Sequence, residues 1–75
     1  MRNSDHNFGH NLKVLRQQLG LSQTAAGAAA QLTNGTISQY ERGVCDPSLA
    51  HALRLARVLD VPLATLTGAR LAGPT

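Results

Sequence analysis

Several residue types that would indicate a particular class of protein are scarce in this sequence. Among 75 residues there are one cysteine, one phenylalanine, one tyrosine and no tryptophan. A single cysteine excludes an internal disulfide framework and leaves too few ligands for a structural zinc site. Because Phe8 and Tyr40 supply so little aromatic surface, the sequence offers no stacking platform for single-stranded nucleic acid.

Long apolar runs are missing as well. No stretch approaches the roughly 18 continuous apolar residues of a membrane span. The polar start MRNSDHNFGHN has no apolar segment of the kind found in secretory signals. We therefore expect a soluble, cytoplasmic protein, and its length allows one domain.

Acidic residues number four against seven lysines and arginines, which gives a formal net charge of +3. An excess of this sign favours polyanionic partners such as nucleic acid. A solvated surplus of positive charge explains so mild a bias equally well, so the charge alone does not decide the partner.

Potential catalytic and metal-binding groups are isolated along the chain. No nucleophile elbow, phosphate-cradling loop or pair of carboxylates accompanies the serine, histidine and aspartate residues. His6 and His10 are four residues apart, yet two imidazoles lack the third ligand that a zinc site requires. We predict no enzyme, no metal and no cofactor. Cys45 is interpreted either as a small, buried or half-buried thiol or as a redox sensor.

The spacing of apolar residues predicts helices. From Phe8 to Leu19 they recur at intervals of 4, 3 and 4, which indicates one amphipathic helix ended by Gly20. Ser22 is a preferred N-cap, and the alanine-rich stretch after it predicts a short second helix over about 23–30. The alanines either reflect helix propensity alone or let another helix approach closely.

The stretch TNGTISQYERG is ambiguous by itself. Its Asn-Gly step is a strong signal for a hairpin turn, whereas Thr33 followed by Ile37 and Tyr40 has the cap and the spacing of a helix. A hairpin needs a strand on each side, and the preceding residues are the alanine run. We therefore predict a third helix, capped by Thr33 and ended by Gly43.

The remaining sequence predicts two more helices. The fourth starts with Asp46 as N-cap and Pro47 at the first helical position, and a last turn of helix follows it. The apolar stripe of the fourth helix consists of Leu49, Ala52, Leu53, Ala56 and Leu59. Five short helices without a strand signal predict a compact all-α domain over residues 8–67, with flexible segments at 1–7 and 68–75.

Three segments together give the sequence a family likeness. LKVLRQQLGLSQ, TISQYERG and DPSLAHALRLARVLDVPLATL resemble, in register and without gaps, the phage repressor and Cro-like (XRE-type) helix-turn-helix family over about residues 11–67. The resemblance implies a five-helix, lambda-repressor-like domain. It also implies a transcriptional regulator, most often a repressor, that binds double-stranded DNA at a palindromic operator as a homodimer.

The chain departs from the family pattern at three positions. Gly27 stands where the family commonly has alanine at a contact between helices, and it weakens its own helix. Gln31 and Asp60 stand where the family has glycine in a turn. A left-handed conformation costs a residue with a side chain about 1 kcal/mol, although aspartate tolerates it better.

The resemblance places the third helix in the major groove, where its N-terminal residues meet base edges. The base-reading residues are then Asn34, Gly35, Ser38 and Gln39. Gln39 can bond adenine bidentately, and Gly35 permits close approach by a partner. The other interpretation is that a solvated helix face is polar in any case.

Further roles follow from the same resemblance. Contacts to the DNA backbone are expected from Gln23, Thr33, Thr36, Arg42 and Lys13. Arg16 and Glu41 are implied to form a structural ion pair between the first and third helices, the alternative being a weak surface pair. The homodimer contact is predicted at Val61, Leu63 and Leu66.

Two other functions remain open. In one, the domain is an antitoxin or a protein-docking module, with a partner such as a toxin, and DNA binding is secondary. In the other, it is a structural helical module that has lost its affinity for DNA. This alternative is favoured by Gly35, Gln31 and the modest net charge.

Overall fold

The computed structural model describes residues 7–72. These residues form five α-helices and no strand. The helices are α1 (Phe8–Gln18), α2 (Gln23–Ala30), α3 (Asn34–Glu41), α4 (Leu49–Leu59) and α5 (Leu63–Thr67). The predicted all-α class with five helices is confirmed. All but the last residue of the predicted N-terminal arm lies outside the described residues.

Hydroxyl groups cap the two central helices. The Ser22 hydroxyl accepts a hydrogen bond from the Ala25 N–H at 2.9 Å. The Thr33 hydroxyl accepts one from the Thr36 N–H at 3.1 Å, which resolves the ambiguous Asn-Gly stretch as a helix start. Each cap satisfies a backbone donor that the first turn of a helix leaves without a partner.

The start of α4 differs from the prediction. Ser48, not Asp46, is the N-cap, and its hydroxyl accepts from the His51 N–H at 3.2 Å. Pro47 therefore precedes the helix. Aspartate and serine are about equally good caps, so the local sequence alone does not decide between two candidates that lie two residues apart.

Left-handed residues follow each of the first four helices. Gly20 and Gly43 have φ of 72° and 73°, and Gln31 and Asp60 have φ of 62° and 58°. The left-handed turn expected at Gln31 is therefore present although no glycine stands there, and it costs about 1 kcal/mol relative to glycine.

The core lies where all five helices meet, with Ala30 as the contribution of α2. Its large members are Phe8, Leu12, Ile37, Tyr40, Leu55, Leu59 and Leu66. On α4 the predicted stripe is partly wrong, because Leu49 and Leu53 are 67% and 42% exposed whereas Leu55 is fully buried. Leu19, which follows the end of α1, is exposed as well.

One buried polar side chain fixes the end of the described chain. Asn11 on α1 is fully buried. Its amide nitrogen donates to the carbonyl oxygens of Leu66 and Ala69, both at 3.1 Å, and its oxygen accepts from the Leu71 N–H at 2.8 Å. The ring nitrogen Nε2 of His10 lies 2.7 Å from the carbonyl oxygen of Leu71. We call residues 68–71 the C-terminal strap.

The strap falls in the segment predicted to be flexible. Hydrogen bonds to α1 hold residues 68–71 against the domain in this structure. Residues 73–75 lie outside the described part of the chain. Nothing local in the sequence indicated this contact, since an asparagine on a helix is usually a surface residue.

Replacing Asn11 by alanine should lower the free energy of unfolding by about 2–4 kcal/mol, because buried partners lose their hydrogen bonds. Urea denaturation followed by circular dichroism measures this loss. The matched control is Asn7→Ala, since Asn7 makes an exposed bond of 3.0 Å to the Gly68 carbonyl oxygen. Equal losses in the two variants would contradict the role assigned to Asn11.

Candidate nucleic-acid interface

Helix α3 buries one side and exposes the other. Ile37 and Tyr40 are buried at 0% and 6% exposure. The predicted base-reading residues lie on the remaining side, where Asn34, Gly35 and Gln39 are exposed and Ser38 is half-buried. At 100° per residue the four positions span an arc of about 140°. We call these four residues the exposed arc.

Helix α2 lies close to the turn that leads into α3. A Cβ atom at Gly27 would lie 2.8 Å from the carbonyl oxygen of Leu32 and 3.1 Å from that of Thr33. Alanine would therefore collide with the backbone of the turn. The glycine that departs from the family pattern is explained by this close approach.

The alanines of α2 fall into two groups. Ala26 and Ala30 are buried, with 0% and 2% exposure, whereas Ala25, Ala28 and Ala29 are exposed. Both sequence interpretations apply, each to different positions. The buried pair, four residues apart, gives α2 a flat side for packing, and the exposed alanines contribute helix propensity.

Arg16 and Glu41 are brought together between α1 and α3. The guanidinium donates from Nε to one carboxylate oxygen at 2.6 Å and from Nη2 to the other at 3.0 Å. The side chains are 10% and 4% exposed. This hydrogen bonding raises the pKa of Arg16 above its ordinary value, and burial acts in the opposite direction. A third donor, Nη1, bonds the Leu21 carbonyl oxygen at 2.8 Å.

Gln23 extends this network to α2. Its amide nitrogen donates to the Glu41 carboxylate at 3.1 Å, so one glutamate joins α1, α2 and α3. Gln23 was predicted to hold a phosphate. A primary amide has two N–H donors, so the second remains free for that purpose at the half-buried N-terminus of α2.

The other predicted backbone contacts differ in their surroundings. Thr33 and Thr36 are joined by their hydroxyls at 2.9 Å, and the Thr33 hydroxyl also caps α3. Lys13 and Arg42 are exposed. They line a surface notch of about 440 Å³ at the C-terminal end of α3, together with Arg70 of the strap. Arg70 was not predicted as a site residue because the segment that carries it was expected to be flexible.

Tyr40 connects α3 to α1 and α4. Its hydroxyl lies 2.7 Å from Nδ1 of His51 on α4, and its ring packs edge-on against Phe8 with centroids 6.1 Å apart. Burial raises the pKa of Tyr40 above its ordinary value. Because α3 is held on both sides, its exposed arc is presented by a rigid element.

Cys45 is exposed rather than buried or half-buried. Its sulfur lies 3.9 Å from the side-chain oxygen of Gln39. Among residues 7–72, no group of three or more histidine, cysteine, aspartate or glutamate side chains is placed to hold a metal ion. Within the same range, no helix is long and apolar enough to cross a membrane.

The predicted dimer residues do not share one environment. Val61 and Leu63 are half-buried, but Leu66 is fully buried within the chain. Leu66 therefore cannot contact a second copy, and this part of the prediction is wrong. Leu63 instead lines an apolar groove of about 410 Å³ together with the exposed Leu49.

The arrangement of α2 and α3 defines the class of the protein. Two short helices meet at a tight left-handed turn, and the second, braced by α1 and α4, exposes a polar arc. This is a helix-turn-helix domain. A family model described as helix-turn-helix matches residues 12–66. The chain belongs to this family, the XRE-type helix-turn-helix group of DNA-binding transcription regulators.

Solved structures support the assignment. The restriction-modification controller protein C.AhdI from Aeromonas hydrophila is 33% identical, with a TM-score of 0.79 over 84% of this chain and 96% of that one. The P22 c2 repressor, solved with a synthetic operator, is 28% identical, with a TM-score of 0.77 over 80% and 91%. SinR, a master regulator for biofilm formation solved with DNA, is 28% identical, with a TM-score of 0.75 over 79% and 95%. No curated protein sequence matches this chain.

Proposed function

We propose that the protein represses transcription by binding a palindromic operator in double-stranded DNA as a homodimer. The exposed arc of α3 carries this proposal. The arc is polar and lies opposite the buried side of the helix. Contacts with α1 and α4 hold the helix in place. A helix presented in this way fits the major groove, where each base pair displays a distinct pattern of donors and acceptors.

The residues of the exposed arc divide the reading of bases among them. Gln39 has an amide that matches the donor and acceptor of adenine in the major groove, and Asn34 offers the same pair nearer the helix start. The Ser38 hydroxyl can bond either a donor or an acceptor on a base edge. Gly35 has open space around it, since a Cβ atom there would lie 3.8 Å from the Thr33 hydroxyl oxygen, so the DNA can approach the helix backbone at this position.

Contacts to phosphates fix the orientation of α3 in the groove. Gln23 keeps one free amide donor at the N-terminus of α2, where the helix dipole also attracts an anion. Lys13 and Arg42 supply positive charge at the other end of α3. Thr33 and Thr36 share a hydrogen bond between their hydroxyls, so one of the two hydroxyl hydrogens is left to donate to a phosphate. Such contacts set the register without reading sequence, and they make binding depend on salt.

A homodimer would set two copies of α3 about 34 Å apart, in successive major grooves on one side of the duplex. The apolar groove lined by Leu49 and Leu63 supports a dimer contact there. Leu49 is 67% exposed, and a second copy would cover it. Leu66 plays no direct part because it is already buried.

Selection of bound duplexes from a random DNA pool tests the proposal. The wild type should enrich a palindrome, and Gln39→Ala should lose about 1–3 kcal/mol of discrimination at one base position in each half-site, because its bidentate bonds are missing. Gln18→Ala, at an exposed glutamine of α1, is the control and should enrich the same palindrome.

Two results would count against the proposal. If the wild type enriches no sequence, α3 does not read bases. If binding disappears at higher salt to the same extent for all three proteins, the interaction is with the phosphate backbone alone. The apolar groove would then be the place to search for a protein partner, as an antitoxin or docking module requires.

A further inference from the structure

We propose that the C-terminal strap is part of the DNA interface, and that Arg70 acts with Lys13 and Arg42 to bind one backbone phosphate in the notch beside α3. This inference rests on the proposed function, since the phosphate belongs to the duplex that α3 reads. It assigns a role to a segment that the sequence pattern predicts to be a flexible tail.

The strap presents Arg70 from a fixed backbone. Ala69, the residue before it, is held through its carbonyl oxygen by Asn11. Leu71, the residue after it, is held through its N–H by Asn11 and through its carbonyl oxygen by His10. Because both neighbours are bonded to α1, the backbone of Arg70 is already ordered before DNA arrives. Less conformational entropy is then lost on binding than for a free tail.

The charge around the notch favours an anion. Lys13, Arg42 and Arg70 line it and are exposed. Glu41 also lines the notch, but both of its carboxylate oxygens accept hydrogen bonds from the Arg16 guanidinium. Asp46 is the other acidic residue on its wall. The three cations therefore outnumber the two carboxylates on the wall of the notch, and arginine guanidinium groups match the geometry of a phosphate.

The position of the notch agrees with the path of a DNA strand. Helix α3 has eight residues and is therefore about 12 Å long, whereas the major groove is about 8.5 Å deep. When the N-terminal end of α3 enters the groove, its C-terminal end remains near the level of the phosphates. The notch lies at that end, between Tyr40 and Gly43 on one side and α1 on the other.

The substitution Arg70→Gln tests whether the strap contacts the DNA backbone. Fluorescence anisotropy with the enriched palindrome and with an unrelated duplex, over a series of KCl concentrations, gives the affinity and its salt dependence. We expect an affinity about tenfold lower on both duplexes and a slope of log K against log salt reduced by about 0.9. The base preference should be unchanged. The control is Arg57→Gln, at an exposed arginine of α4 that lies outside the notch, and it should keep the wild-type slope.

The possible outcomes separate this inference from the proposed function. If Arg70→Gln behaves like Arg57→Gln while Gln39→Ala loses base preference, the strap does not contact DNA and the proposed function stands. If the wild type binds no duplex in a salt-dependent manner, both fail. Urea denaturation of Arg70→Gln should match the wild type, because backbone atoms of the strap make its bonds to α1. A large loss of stability would contradict that account.

Discussion

Glu41→Ala is expected to lower the free energy of unfolding by about 3–5 kcal/mol. The substitution leaves the guanidinium of Arg16, whose side chain is 10% exposed, without its carboxylate. It also removes the acceptor of Gln23. A domain of this length has a total stability of about 4–11 kcal/mol, so much of the variant should be unfolded and should not bind DNA.

Urea denaturation followed by circular dichroism measures this loss. Glu41→Gln keeps a hydrogen-bond acceptor and should lose less. In a double variant, Arg16→Met with Glu41→Leu, neither charge remains buried, and part of the lost stability should return. A loss below about 1 kcal/mol for Glu41→Ala would instead indicate a pair that behaves like one on the surface.

Leu66→Glu is expected to unfold the protein rather than to produce a folded monomer. Leu66 is fully buried in the core, where a carboxylate finds no compensating partner among the apolar side chains. The loss of apolar packing and the burial of a charge together should cost about 5 kcal/mol or more. Circular dichroism should show loss of helix at temperatures where the wild type is folded.

The proposed dimer contact at the apolar groove is tested by a different substitution. Leu49→Glu changes a side chain that is 67% exposed, so the helical signal should be retained while sedimentation shows a shift from dimer to monomer. An unchanged dimer mass would remove the apolar groove from the interface. A folded, monomeric Leu66→Glu protein would contradict the burial of Leu66.

The local sequence was sufficient for most helix ends. Ser22 and Thr33 cap their helices as expected, and the left-handed positions at Gly20 and Asp60 are found where the sequence placed them. These features depend on interactions within one turn of the helix, which nearby residues encode. The start of α4 was mistaken because two good caps compete within three residues.

Periodicity alone did not determine which side of α4 is buried. The predicted stripe runs through Leu49 and Leu53, and the observed one runs through Leu55. Leu59 belongs to both. Both stripes satisfy the same rule of helical spacing. The choice between them is made by α1, α2 and α5, which cover one side of α4.

The sequence by itself determined the helices and the polar arc of α3, because the short-range spacing of residues encodes them. It also determined the family, because three segments of the chain lie in register with the family pattern. Only the tertiary structure decided that Leu66 points into the core and that the strap is bound to α1. The bond between Asn11 and Leu71 joins residues 60 positions apart. No local pattern encodes such a pairing, since it exists only after the helices have packed and brought the two segments together.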